Sequence, residues 1–134
     1  MQWMFLPLKR YADFEGRSRR LEYWMFQLGQ WILFIAMALV IGAVDAAGDP
    51  LERGGISDLL TIPLVIVWLA LLIPNLAVTV RRLHDQDKSG WWILLNLIPL
   101  GGLVLLVFMF LDGTPGENQF GPSPKEEVTA QTFE

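Results

Sequence analysis

Three uninterrupted apolar stretches dominate the chain. Residues 23–44 and 59–80 make two stretches of 22 residues, residues 91–111 make one of 21, and none contains a charged side chain. A helix rises about 1.5 Å per residue, so 22 residues cover about 33 Å against a hydrocarbon core of about 30 Å. A soluble helical bundle needs a polar face on each helix, which these stretches lack. The pattern predicts an all-α membrane protein with three transmembrane helices, at about 22–44, 59–80 and 91–111.

The segments outside these stretches are shorter and more polar. Met4, Phe5, Leu8 and Tyr11 share one helical face, so we expect a short N-terminal helix lying in the membrane interface. Residues 112–124 contain three glycines and three prolines, which predicts an irregular C-terminal tail of tight turns. We expect one multi-pass membrane domain over residues 1–124 and a disordered tail over residues 125–134.

Proline and glycine interrupt the second and third stretches. Pro74 precedes Asn75, and Asn96 is followed by Pro99 and by glycines at 101 and 102. Twenty-one residues are too few for two passes of roughly 20 residues each, so we predict one kinked crossing. The alternative is a re-entrant hairpin, which would return the C-terminus to the cytoplasmic side.

Composition excludes several kinds of chemistry. Mean hydropathy is +0.41, there is no cysteine and His84 is the one histidine. The acids of the loop over residues 43–58 match no calcium-binding pattern. No Asp, Glu, Lys, Arg or His lies inside an apolar stretch, which argues against a proton-coupled carrier. We predict no catalytic, cofactor-binding or metal site, and no nucleic-acid partner.

Basic residues are distributed unevenly about the predicted crossings. Three crossings place eight on one side and two, Arg53 and Lys125, on the other. The positive-inside rule then puts the N-terminus in the cytoplasm and the C-terminus outside. The eight are Lys9, Arg10, Arg17, Arg19, Arg20, Arg81, Arg82 and Lys88.

The charges flanking the stretches on that inner side form the candidate site. Arg81 and Arg82 can each pair with Asp85 if the helix runs on by a turn. One interpretation is a charged hairpin that fixes orientation; the other is a site for an anionic lipid headgroup or phosphate, because guanidinium groups bind phosphate in bidentate fashion. The candidate residues are Arg17, Arg19, Arg20, Glu22, Arg81, Arg82, His84 and Asp85.

Three blocks of sequence resemble one bacterial family. They are Gly-Arg-Ser-Arg-Arg-Leu-Glu-Tyr-Trp at 16–24, Arg-Arg-Leu-His-Asp at 81–85 with Ser-Gly-Trp-Trp at 89–92, and Gly-Thr-Pro-Gly-Glu-Asn at 113–118 with Phe-Gly-Pro at 120–122 and Pro124. In this order they resemble the domain of unknown function 805 family, over about residues 1–124; Gln119 departs from its pattern. The resemblance implies a small multi-pass protein of the bacterial inner membrane and leaves its mechanism open.

Two functions remain open on the sequence. The first is a non-enzymatic membrane protein that contacts lipids, a protein partner or a second copy through its basic cytoplasmic face. The second is a small transporter or channel component with an internal site at the breaks near Asn75 and Asn96.

Overall fold

The structure is a computed structural model that describes residues 2–49 and 55–126. Four α-helices and one 3-10 helix make up its regular structure. The helices are α1 (Gln2–Lys9), α2 (Arg20–Ala47), α3 (Gly55–Asp85) and α4 (Gly101–Phe110), with the 3-10 helix Gly90–Leu97 between α3 and α4. The predicted disordered tail lies, from residue 127 onward, outside the described residues, as do residues 50–54 of the predicted acidic loop.

Helices α2 and α3 are the two that are long and apolar enough to cross a membrane. Their 28 and 31 residues extend over about 42 and 46 Å. Both run past the predicted boundaries, so that Asp45 and Asp58 lie on helices and Arg81–Asp85 form the last turns of α3 rather than a polar turn.

The predicted single helix over residues 91–111 is wrong, and a third crossing is not confirmed. The stretch is divided between the 3-10 helix and α4, which pack on each other. Leu100 joins them with a left-handed backbone, φ 65°, a conformation costly for a residue with a Cβ. Gly101 follows, where a Cβ would overlap the carbonyl of Leu95.

The divided stretch returns to the end of the bundle from which it starts. The amide of Thr114, just after α4, donates to the carbonyl of Asp85 at the end of α3 over 2.7 Å. The 3-10 helix and α4 are each about 15 Å long, half the thickness of a hydrocarbon core. The two arms form a returning hairpin, and neither arm is long enough to cross a hydrocarbon core.

The N-terminal helix α1 packs against α2 and α3. Gly29 of α2 gives it room, because a Cβ there would lie 2.8 Å from Met4 Cγ. Beyond α1, the Tyr11 hydroxyl donates to the carbonyl of Ala70. Pro74 has no N–H and so leaves that carbonyl without its helical partner. The short N-terminal helix is confirmed; its position in the membrane interface stays a prediction.

Candidate functional site

Asp85 is the meeting point of the candidate site. One carboxylate oxygen accepts from Arg82 on the same helix, and the other lies 3.0 Å from an Arg17 nitrogen. The three side chains are at most 5% exposed. A carboxylate shared by two guanidinium groups keeps its charge compensated although it is buried.

Arg17 also fixes the C-terminal tail in place. Its guanidinium donates to the carbonyls of Thr114 and Gly116, both over 2.6 Å, and of Gly121 over 3.2 Å. Gly116 and Gly121 have φ values of 70° and 120°, which glycine adopts at little cost. The turns of the tail therefore aim backbone oxygens at one buried cation.

A second buried ion pair lies beside the first. Arg81 Nη2 is 3.2 Å from Glu22 Oε1, and both side chains are buried. The Arg81 carbonyl accepts from the amide of Ser18 over 3.1 Å. This pair holds the start of α2 against the end of α3.

The C-terminal end of α4 is capped entirely by side chains of other elements. Its orphan carbonyls at Phe108, Met109, Phe110 and Leu111 accept one donor each. The donors are, in that order, the Gln86 amide, the Trp24 indole, the Arg20 guanidinium and the Arg82 guanidinium. Helix C-termini favour cations. The two arginines therefore stabilise the C-terminal end of α4 next to the end of α3.

Close packing around Asp85 explains the glycine at position 113. A Cβ on Gly113 would overlap the Asp85 carboxylate. The Asn118 amide then donates to the carbonyl of His84 over 2.9 Å, and the His84 ring stacks on Phe120 with centroids 3.9 Å apart. The tail is thus packed on the end of α3 rather than extended into solvent.

An open basic recess, here called the rim, lies beside this buried centre. Arg19, Arg20 and Lys125 surround it and Leu21, Trp24 and Phe110 form its apolar wall, with a volume of about 420 Å³. Asp112 is 2.6 Å from Lys125 and 3.4 Å from Arg20. The hydrogen bond from Lys125 lowers the pKa of the Asp112 carboxyl from its usual value, so the rim has three cations against one acid at neutral pH.

A separate polar cavity lies deeper, between α2, α3 and the hairpin. It has a volume of about 310 Å³, and Tyr23, Gln27, Asn75, Thr79 and Asn96 supply its polar lining. Gln27 donates to the Asn75 side-chain oxygen over 2.8 Å. The two asparagines that mark the breaks in the apolar stretches therefore face one cavity.

The structure brings most of the predicted site residues together, but in buried pairs rather than one surface patch. Arg82 pairs with Asp85 as predicted, whereas Arg81 pairs with Glu22 instead of Asp85. Arg17 joins Asp85, Arg20 lies in the rim, and Arg19 lies over the ring of Trp3 as well. His84 sits at the edge with Gly16 and Phe120.

Sequence reasoning missed the residues that complete this centre. Gln86, Gly113, Thr114 and Asn118 bond to it or make room for it. The Gly-Thr-Pro-Gly-Glu-Asn block was the available signal, since so specific a run of turn residues needs a partner for its backbone groups.

An all-α chain with two membrane-length helices, a short returning hairpin and buried arginine–carboxylate pairs defines a small integral membrane protein. The family model described as protein of unknown function (DUF805) matches residues 11–122, and the chain belongs to that family.

Named relatives extend over nearly the whole chain. Inner membrane protein YhaH of Escherichia coli (strain K12) is 47% identical over 95% of this chain and 99% of its own length. Inner membrane protein YhaI of the same strain is 42% identical over 93% of this chain and 97% of its own. No solved structure matches the chain significantly.

Proposed function

We propose that this chain is a non-enzymatic protein of the bacterial inner membrane, with two crossings, one re-entrant hairpin and both termini in the cytoplasm. Two relatives are named inner membrane proteins. A returning hairpin moves Lys125 to the side of the other eight basic residues, which leaves nine against Arg53 alone. The positive-inside rule then favours a cytoplasmic position for both termini.

Its proposed activity is to bind anionic phospholipid headgroups at the rim. The observation that carries this proposal is the open recess in which three cations stand over an apolar wall with Trp24. Exposed cations with an aromatic neighbour suit a headgroup and the start of its acyl chains. The side chains of Arg20 and Lys125 are 46% and 49% exposed although both contact Asp112, so a phosphate can approach them from solvent.

The buried arginines are excluded from this headgroup site. Arg17, Arg81 and Arg82 are at most 6% exposed and are paired with Asp85 or Glu22. Withdrawing them from those acids would leave a buried carboxylate uncompensated. Their role is to hold the cytoplasmic end together and to position Arg20.

The test compares two variants that each lose two positive charges from the same end of the bundle. Arg19→Gln/Arg20→Gln removes two rim cations, and Lys9→Gln/Lys88→Gln removes two cations outside it. Each basic residue near an anionic surface contributes about 1 kcal/mol, so the rim variant, which loses two, should bind phosphatidylglycerol about thirtyfold more weakly. Native mass spectrometry of the purified protein with phosphatidylglycerol or phosphatidylcholine gives the measurement. Equal losses in both variants, or none in the rim variant, would reject the rim.

The polar cavity favours a second candidate function, that of a small transporter or channel component. Its lining joins Asn75 to Asn96 at the two helix breaks, where an internal site is expected. Flux measurements in proteoliposomes test it, since a transporter must move its ligand across the bilayer and a lipid-binding protein need not.

A further inference from the structure

Asn96 presents an amide at membrane depth without a protein partner. Among the described residues its side chain makes no hydrogen bond, and it is exposed toward the cavity between α2, α3 and the hairpin. The cavity extends from Tyr23 and Met109, near the polar end, to Asn75, which lies ten residues before the end of α3, about 15 Å along its axis. An amide group in hydrocarbon without a hydrogen-bond partner costs up to several kcal/mol of free energy. A ligand that hydrogen-bonds to Asn96 would offset this cost.

From this we infer that the cavity binds an uncharged lipophilic molecule whose head bears carbonyl or ester oxygens. The inference deepens the second candidate function, because it names the ligand class of that cavity, and it does not depend on the rim.

The hydrogen-bonding groups around the cavity set the chemistry of the head. The Asn75 oxygen already accepts from Gln27, so Asn75 offers its NH₂ group. Asn96 offers another, whereas the Tyr23 hydroxyl of the lining already interacts with Gln27 and Thr79. These donors match a ligand head made of acceptors.

Charge and size narrow the class further. No acid or base of the described chain lines the cavity, and a charged head at this depth would lack a counter-charge. A volume of about 310 Å³ equals about ten waters at roughly 30 Å³ each. That is enough for one substituted ring or for the glycerol ester of a lipid. Leu72, Leu76 and Leu106 provide the apolar walls beside a tail.

Two sources of such a head exist in a membrane, a quinone and a diacylglycerol, and the experiment has one arm for each. The purified full-length protein is titrated with decylubiquinone in one arm and with 1,2-dioctanoylglycerol in the other. We expect saturable binding of one probe at a ratio of one per chain. The arm that shows it identifies the source.

Two variants locate the binding in the cavity. Asn96→Leu removes the amide and should weaken binding about tenfold. Gly102→Leu keeps the amide but fills the space beside it, where a Cβ would already be 3.4 Å from the Asn96 oxygen. Gly42→Ala is the control, because nothing lies within 4 Å of a Cβ at that position of α2.

The results decide between this inference and the other proposals. Saturable binding that both cavity variants weaken, with the control unchanged, supports the site. Absence of saturable binding by both probes overturns it, as does binding that neither cavity variant changes. Phosphatidylglycerol binding in Asn96→Leu reports on the rim alone, and a probe that binds without being moved across the bilayer supports the site while rejecting a transporter.

Discussion

Asp85 shows how a membrane protein can bury several charges at one end of a bundle. It receives Arg17 from before α2 and Arg82 from its own helix, and the Asp85 carbonyl accepts from the Thr114 amide. Burial of one ion alone costs several kcal/mol, and excellent geometry with further hydrogen bonds is needed to offset it. The backbone oxygens around Arg17 provide those bonds.

The Arg81–Glu22 pair gives a prediction for single and double substitutions. Arg81→Gln leaves the Glu22 carboxylate buried without its cation and should lower the free energy of unfolding by about 3 to 5 kcal/mol. Glu22→Gln should also destabilise the protein, because it leaves the fully buried Arg81 guanidinium with the more distant Asp13 carboxylate, 4.0 Å away, as its remaining salt-bridge partner. Since the double variant removes both charges of this pair and leaves neither partner uncompensated, it should lose clearly less than the sum of the two. Unfolding by SDS in mixed micelles measures all three, and additive losses would contradict a coupled pair.

Substitution of Gly113 tests the close packing against Asp85, and substitution of Gly42 serves as its control. Gly113→Ala places a Cβ on the Asp85 carboxylate and should cost about 1 to 3 kcal/mol, as overpacking does. Gly42→Ala, in the open on α2, should instead gain about 0.5 to 1 kcal/mol. The two unfolding free energies are compared in the same micelles. Equal effects would mean that Asp85 moves aside freely.

For individual residues, the sequence predicts which charged side chains form the site, but not most of their partners or their burial. The predicted pairing of Arg82 with Asp85 depends on helical spacing alone, and it is confirmed. The partners of Arg17 and Arg81 lie 68 and 59 residues away in the chain, and spacing contains no information about them. Burial of the arginines depends on the tail folding over them, which turn chemistry alone does not predict.

Among the elements, α3 shows how a proline is accommodated inside a membrane-length helix. Pro74 frees the Ala70 carbonyl, and Tyr11 donates to it from outside the helix. Thr79 donates to the Asn75 carbonyl one turn further on, over 2.7 Å. The side chain of Tyr11 thus supplies the bond that the proline removes.

This compensation can be tested with a double-mutant cycle. Tyr11→Phe should cost about 1 kcal/mol, because it leaves the Ala70 carbonyl without a donor. In a Pro74→Ala background the amide of residue 74 can bond that carbonyl, so Tyr11→Phe should then cost markedly less. Unfolding free energies of the four proteins give the coupling. Equal costs in both backgrounds would show that Tyr11 contributes only packing.

The third apolar stretch is the element that the sequence does not predict correctly, since it forms a hairpin rather than one helix. Its length fits one crossing, and the interruption at Pro99 to Gly102 was interpreted as a kink. Two full passes need roughly 40 residues, but each arm of a returning hairpin needs only about half the membrane thickness. What favours the return is the set of four side-chain donors at the end of α4, and these come from residues far away in the sequence.

For the whole molecule, the returning hairpin concentrates charge at one end. Segments around Arg17, Asp85 and Thr114 are held together there by buried polar bonds. At the opposite end, the described contact between α2 and α3 includes a hydrogen bond from Ser57 to Asp45 over 3.3 Å. In the sequence, nine of the ten basic residues lie outside the segment between α2 and α3, which contains Arg53.

That distribution leads to a topological prediction that separates two crossings from three. With the hairpin re-entrant, a reporter fused after residue 134 should be cytoplasmic: green fluorescent protein fluoresces there and alkaline phosphatase stays inactive. Alkaline phosphatase inserted between α2 and α3, in the segment that contains Arg53, should be active, because the proposed topology puts that loop on the outer side. An active phosphatase at the C-terminus would restore the third crossing. As a control, Lys125→Gln should leave the C-terminal result unchanged, because eight basic residues against one still orient the protein by the positive-inside rule.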